Sequence, residues 1–407
     1  MKVFRFSILC VGILVLLDGL SLASTYYVAT NGDDSRSCST AQNIATPKRT
    51  IPSAFGCLAP GDTLYTRSGS YPTIDSHSTV IPTGSSWSNA PLIAAYPGEA
   101  VTLIGGANIV APSAQGQSEI KYVILDGFKF EASSGNALSI GGNVHHIRII
   151  NGDVYGARGS YSGINLQPKN SVIPSYVEII KTKIHDNGQG GSGSGTTGHG
   201  IYCACTNSIF DGLDVYNNGD RGIQLFSMYI SPDNNIVKNS KWHHNGRGTS
   251  ITGSGVTIYG VNNLAFNNVI YDNPGNGFDV RGSGSHKVYN NTVAHNGGSA
   301  IEIQNATNNL ITNNILWSNR SVITTYYGGN YSGQSNLTTV PSFVNEAGRD
   351  LRISATSAAK DAGVTISVVA TDYNNVSRPQ DSAYDIGAWE YVGIQTLAPP
   401  GNLIVQP

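Results

Sequence analysis

Residues 277–296 read Gly277-Phe278-Asp279-Val280-Arg281-Gly282-Ser283-Gly284-Ser285-His286-Lys287-Val288-Tyr289-Asn290-Asn291-Thr292-Val293-Ala294-His295-Asn296. Three short apolar pieces alternate with period two, and each is closed by Gly or Asn. Alternation of this kind specifies strand rather than helix. The same pattern recurs along the chain. Segments ending in an Asn or Asp pair occur around Asp126, Asn151, Lys181, Asp211, Asn239, Asn267, Asn290 and Asn313. A Gly-apolar-x-apolar strand recurs at Gly163, Gly200, Gly222, Gly255 and Gly277, with Ala300 continuing the series. A further column, Asn187, Asn217, Asn245, Asn273, Asn296 and Asn319, closes the second strand of successive units. Stacked Asn at a turn tolerates left-handed dihedrals and bonds to the backbone, so this column is structural.

A unit of about 25 residues cannot bury its own apolar face, but a stack of units can. The expected fold is therefore all-β, a parallel β-helix of three sheets with rungs about 4.8 Å apart. Composition agrees. The chain has 407 residues, of which 12% are charged and 48 are Gly, with a formal net charge of -2. So little charge disfavours coiled coils, and the absence of a basic excess disfavours nucleic-acid binding.

Residues 1–23 read as a signal peptide: Lys2 and Arg5, an apolar run from Phe6 to Leu17, then Ser21-Leu22-Ala23. Its removal leaves a charge of -3, and no later segment is apolar and long enough to span a membrane. A secreted or periplasmic monomer is expected. In that oxidising setting Cys38 and Cys57 are plausible partners. Cys203 and Cys205 read as two small buried apolar side chains rather than metal ligands. Residues 24–60 form an N-terminal cap with a turn or helix at Pro52–Leu58, residues 61–391 the β-helix with a less regular end from 336, and residues 392–407 a tail or linker.

Gly198-His199-Gly200-Ile201-Tyr202, Gly222-Ile223-Gln224-Leu225-Phe226, the opening Tyr26-Tyr27-Val28-Ala29-Thr30-Asn31-Gly32, Pro60-Gly61-Asp62-Thr63-Leu64-Tyr65 and the closing Asp385-Ile386-Gly387-Ala388-Trp389-Glu390-Tyr391 resemble the right-handed parallel β-helix, pectin-lyase-like superfamily of secreted bacterial proteins. The resemblance implies a right-handed solenoid with a C-terminal closing strand. It covers polysaccharide lyases, glycoside hydrolases, alginate epimerases and members without known activity, so function rests on the site.

Alternation puts Ser139, Asn165, Tyr202, Gln224, Thr257, Asp279 and Glu302 on the outer face of the third strands, and Gln167, Ala204, Phe226, Tyr259, Arg281 and Gln304 in the next outward column. Asp279, Arg281 and Glu302 are the candidate catalytic residues, with His199, Tyr202, Arg221, Gln224, Tyr259 and Gln304 as substrate contacts. Insertions at Gln189–Thr197, Arg247–Gly253 and Met228–Asn234 are expected to wall this face. Stacked acids suit Ca²⁺, with Asp279 and Glu302 as ligands, and no organic cofactor is implied. The leading expectation is binding and β-elimination of an acidic, uronate-containing polysaccharide. A glycoside hydrolase using Asp279 and Glu302 and a glycan-binding protein without catalysis are the alternatives. His185, His243, His244 and His295 read as surface residues on another sheet.

Overall fold

A computed structural model describes residues 23–188, 198–226, 228, 230–247 and 253–393. Residues 1–22 of the expected signal peptide, the insertion at Gln189–Thr197, most of Arg247–Gly253 and most of the tail lie outside the described residues. No helix among those described is long and apolar enough to cross a membrane.

The chain coils into a parallel solenoid whose rungs each contribute three strands. First strands, from Thr25–Val28 to Tyr331–Ser332, form one sheet that climbs in chain order. Second and third strands form two more faces. Val101–Ala111 pairs with Phe128–Glu131 of the second series and Leu138–Gly142 of the third. Three faces were expected as separate sheets. Two are joined into one sheet here, because this long strand bends at Gly105 and Gly106, where φ is 88° and 67°.

The register of the third strands is as the alternation predicts. Ile223, Val256, Phe278 and Ile301 pair in succession and are fully buried. The Gly that opens the first three of these strands faces the core. A Cβ on Gly255 would stand 2.4 Å from Ile270, and one on Gly277 would stand 2.3 Å from Val293.

Two of the repeat columns are displaced by one residue at single rungs. The left-handed position after the first strand is held by Gly127, Asn151, Lys181, Gly212, Asn239, Asn267, Asn290 and Asn313, all with positive φ. Asp126 and Asp211, expected in this column, stand one residue before it, because Gly takes a left-handed turn without a Cβ penalty. Similarly Asn218, not Asn217, continues the buried ladder Asn187–Asn218–Asn245–Asn273–Asn296–Asn319. In this ladder each Asn Nδ2 donates to the Oδ1 above it, at 2.9 Å from Asn273 to Asn296. Asn217 is the left-handed residue beside it, with φ 55°.

At the N-terminal end, Thr50 caps a short helix, Ile51–Phe55, whose Ile51, Ala54 and Phe55 cover the first rung. Cys38 and Cys57 are disulfide-bonded, with Cα atoms 5.4 Å apart. Cys203 and Cys205 are buried as expected but are also joined to each other, which overturns the reading of two free side chains. With one residue between them, their side chains turn the same way and their Cα atoms stand 5.3 Å apart.

The C-terminal end departs most from expectation. Phe343–Asn345 and Asp350–Ile353 form an antiparallel pair, after which the chain returns irregularly along the outside of the last rungs. Asp385–Tyr391 is not a closing strand. Its Ala388 and Trp389 pack on Val269, Ala294 and Leu351, and Asn290 Nδ2 donates to the Asp385 carbonyl. A buried Arg378–Glu390 ion pair ties the returning chain to itself.

Phe278→Ala removes the largest side chain of the third-strand stack. It should destabilise the protein by about 3–5 kcal/mol in urea unfolding; a loss near zero would contradict the inward register.

Candidate functional site

The outer face of the third strands carries the expected columns in register. Tyr202, Gln224, Thr257, Asp279 and Glu302 stand one above another, and Arg281 pairs with Gln304. A second column arises in the turn before each third strand. Backbone N–H groups of Gly163, Gly200, Gly222, Gly255 and Gly277 donate to the carbonyls of His199, Arg221, Ser254, Asn276 and Ser299. Each of those residues stacks on the next, so Arg221 lies directly over His199. The two columns converge on a cleft of about 590 Å³. Arg221, Ser254, Asn276, Asp279, Arg281, Glu302 and Arg320 line it, beside the backbone of Pro274-Gly275 and Gly297-Gly298.

Asp279 points outward yet is not a surface residue, being only 2% exposed. Ser254 and Thr257 of the rung below donate to its Oδ2 at 2.9 and 3.2 Å, and Asn276 donates to Oδ1 at 2.6 Å. Arg281 Nη2 stands 3.7 Å from Oδ1 and 3.3 Å from Glu302 Oε1, while Nη1 donates to Gln304 at 2.7 Å. Burial works against the Arg281 charge. Asp279, Tyr259 and Glu302 more than offset it, so the guanidinium is held even more firmly protonated than usual.

Arg221 joins this cluster to a second one. Its Nη1 donates to Asp220 at 2.9 Å and its Nε stands 3.9 Å from Asp279. His199 Nδ1 accepts from the Arg221 backbone at 3.3 Å and lies 3.5 Å from Asp220. Burial, reinforced by the Arg221 charge, pushes His199 down to about 3. Burial also pushes the Asp220 carboxyl up; Arg221 opposes this and Asp279 adds to it. Three buried polar atoms in this connected group find no hydrogen-bond partner among the described residues: Asp220 Oδ1, Arg221 Nε and Arg281 Nε.

Of the predicted residues, the cleft gathers Asp279, Arg281, Glu302 and Arg221, with Gln304 bonded to Arg281 and Tyr259 one rung away. His199, Tyr202 and Gln224 stand further along the same face. There Tyr202 stacks on His199 with centroids 5.9 Å apart and meets Phe226 edge-on. Asp220, Ser254, Asn276 and Arg320 are additional. The sequence signal for Ser254 and Asn276 is their place just before the Gly that opens a third strand, and for Asp220 its place one residue earlier, beside Arg221.

The arrangement does not suit Ca²⁺. A guanidinium occupies the position between the two acids where a cation would sit, and both Asp279 oxygens are committed to donors. Among the described residues no three acids, His or Cys converge as a metal site.

On the second face, Tyr155, His185, Tyr216, His243 and Tyr271 form a continuous stack with centroids 4.8–5.7 Å apart. His185 and His243 are thus half-buried ladder residues bonded to Asp153 and Asp214 rather than free surface groups. His244 and His295 occupy left-handed turn positions.

Residues 162–344 match the family model of the right handed beta helix region. The chain has the right-handed parallel β-helix fold. The β-helix superposes on a pectate lyase, Pel9A, with a TM-score of 0.70 at 20% identity, covering 92% of this chain and 98% of that one. It is also similar to a rhamnogalacturonan lyase, with a TM-score of 0.57 at 14% identity over 82% and 96% of the two chains. A third likeness is to XylC in complex with xylose, with a TM-score of 0.50 at 12% identity over 89% and 98%. No curated protein sequence matches the chain. At these identities the likeness is one of fold.

The His199 environment has a titration consequence. The unfolded chain protonates this imidazole near 6.5, and the native protein only near 3. The stability His199 contributes is therefore complete above pH 6.5 and declines as pH falls from there towards 3. Nitrogen-15 imidazole spectra of the folded protein should show His199 neutral, with Nδ1 unprotonated, from pH 8 down to 5. A midpoint near 6.5 would place the ring in solvent.

Proposed function

We propose that this β-helix binds an acidic, uronate-containing polysaccharide along the outer face of its third strands and cleaves it by β-elimination in the Arg221/Arg281/Glu302 cleft. The observation that carries this reading is the imbalance of available groups. Arg221, Arg281 and Arg320 face the cleft, and the first two each keep a buried Nε without a partner among the described residues. Their counterpart is a planar anion, which a guanidinium binds by paired hydrogen bonds.

Elimination from a uronate needs its carboxylate neutralised so that the proton on the adjacent ring carbon becomes removable. A base takes that proton, a carbon–carbon double bond forms, and the glycosidic carbon–oxygen bond breaks, with the departing oxygen collecting a proton. Arg281 suits the neutralising role and is a poor base, because its neighbours hold it protonated. Glu302 is the acid with capacity to accept a proton. Its Oε1 faces Arg281, and its Oε2 takes no hydrogen bond from the described residues.

Hydrolysis needs two working carboxyl groups flanking the bond. Asp279, buried and saturated with donors, is not available as the second. The cleft therefore offers one base and an anion clamp, which is the requirement of elimination. The long outward face suits a polymer, and the lyases among the structural neighbours support the same substrate class. Secretion or periplasmic residence is part of this proposal, in keeping with a polymeric substrate and with the leader-like pattern of residues 1–23. Monomeric action is sufficient, since the cleft is built within one chain.

Incubation with polygalacturonate, rhamnogalacturonan and alginate should generate an unsaturated, ultraviolet-absorbing product that persists in the presence of a chelator. Arg281→Ala should lower the rate by about 10²–10³-fold, the cost of losing one charge-stabilising group, and Glu302→Gln by about 10²–10⁴-fold, the cost of losing the base, with the folded state retained. New reducing ends without ultraviolet absorbance would favour hydrolysis. Tight binding with neither product would favour a glycan-binding protein.

A further inference from the structure

A second groove lies on a different face of the β-helix, where the C-terminal chain returns over the outer surface of the second strands. It encloses about 360 Å³ and is lined by Lys241, Tyr271, Arg349, Arg352, Tyr373 and Trp389, among others. Its floor is the outer face of two adjacent rungs, on which Lys241 pairs with Val269 and His243 with Tyr271. Its walls are the Asp350–Ile353 strand with the turn before it, and the chain around Tyr373 and Trp389.

The groove is preformed. Arg349 binds both oxygens of Asp272 at 2.8 Å, which fastens the turn to the rung beneath. The Tyr373 N–H donates to the Ala388 carbonyl at 2.8 Å, and Trp389 packs with Val269, Ala294 and Leu351. Tyr373 and Trp389 stand 5.2 Å apart, and Tyr271 is the last ring of the five-ring stack. Burial pushes both Tyr271 and Tyr373 up to about 12, so both stay neutral hydroxyl-bearing rings.

The charges are unequally paired. Arg349 is neutralised by Asp272 and Arg352 by Asp350. The Lys241 ammonium makes no hydrogen bond or ion pair with a described residue; Asp214 is held low against its burial mainly by His243, and Asp350 mainly by Arg352, with Lys241 adding a smaller part to each. A groove of this size accommodates a sugar-sized ligand. Aromatic rings offer a face to the C–H surface of a pyranose, and their hydroxyl and indole groups remain polar handles. An unpaired cation beside them selects an anionic ring over a neutral one.

We propose that this groove is a second saccharide site, which holds one anionic sugar residue of a polymer through Tyr271, Tyr373 and Trp389, with Lys241 on its charged substituent. The site is separate from the Arg221/Arg281 cleft and does not depend on elimination there. It gives the protein a hold on an acidic polymer at a place where no bond is broken.

The test is calorimetric titration of the full chain with trigalacturonate as the probe and maltotriose as its neutral counterpart. An Arg221→Ala/Arg281→Ala variant, which disables the cleft, should still bind one trigalacturonate, and maltotriose should bind at least about tenfold more weakly, the worth of one charge contact. Adding Lys241→Met, which keeps the apolar stem, should weaken the remaining binding by about tenfold and flatten its salt dependence. Trigalacturonate should also change the fluorescence of the cleft variant, and Trp389→Phe should remove that change. No binding to the cleft variant, or binding unaffected by Lys241→Met, would overturn the second site whatever the outcome at the cleft. Failure of the cleft to cleave any polymer, with this binding intact, would overturn only the elimination reading.

Discussion

One constraint governs this molecule: each strand must pair in parallel with the same strand one rung away, in an unbroken register. Phe278 lies under Ile301, so Asp279 must lie under Glu302 and Arg281 under Gln304. Side chains on consecutive rungs are held about 4.8 Å apart whether or not they attract. A solenoid therefore converts a linear repeat into columns, and a column of identical or complementary groups is either satisfied throughout or costly throughout. The buried Asn ladders are the satisfied case. Asn268, Asn291 and Asn314 each pass an Nδ2–H to the Oδ1 above and use the other to close a backbone carbonyl. No amide is left unpaired by this pattern, and insertion of a strand-length error would unpair the whole file.

The same logic explains how the cleft is tolerated. Stacking Asp279 beneath Glu302 would be repulsive without Arg281, which reaches both. Arg221 plays the corresponding part between Asp220 and Asp279. The result is a network in which each guanidinium reaches two carboxylates, rather than a metal site. Such a network is costly where a member lacks a partner, because an unmade buried hydrogen bond leaves a desolvation penalty uncompensated. Among the described residues, Asp220, Arg221 and Arg281 each carry one such buried atom, which is polar capacity that the proposed ligand could use.

Much of this was legible in the sequence. Period-two alternation and the Gly-apolar-x-apolar motif located the inward and outward columns of the third strands, and the pairing of Asp279 with Glu302 followed from them. The errors have local causes. Asp126 and Asp211 were misplaced by one because a following Gly outcompetes them for the left-handed turn, and Asn217 was chosen over Asn218 because both residue and neighbour are Asn. Burial of Asp279 was not legible. It depends on Ser254, Thr257 and Asn276 closing over it, and three donors from two rungs leave no pattern in a single unit. The return of residues 336–391 over the last rungs was equally hidden, since it has no repeat and is held by contacts about 100 residues distant, such as Asn290 with Asp385.

The returning chain also changes what the solenoid is. A stack of rungs alone has one kind of surface, the outward faces of its strands, and these are convex or flat. Concavity must come from chain that departs from the repeat. In this protein two such places are where the turns before the third strands build up beside Asp279, and where the C-terminal segment crosses the second face near Lys241. Both places combine cations with groups that ordinary rungs bury or pair. A repeat fold thus sets the spacing of its recognition groups by its regular part and their enclosure by its irregular part. Changes to the returning segment should consequently alter binding on the second face while leaving the register beneath it undisturbed.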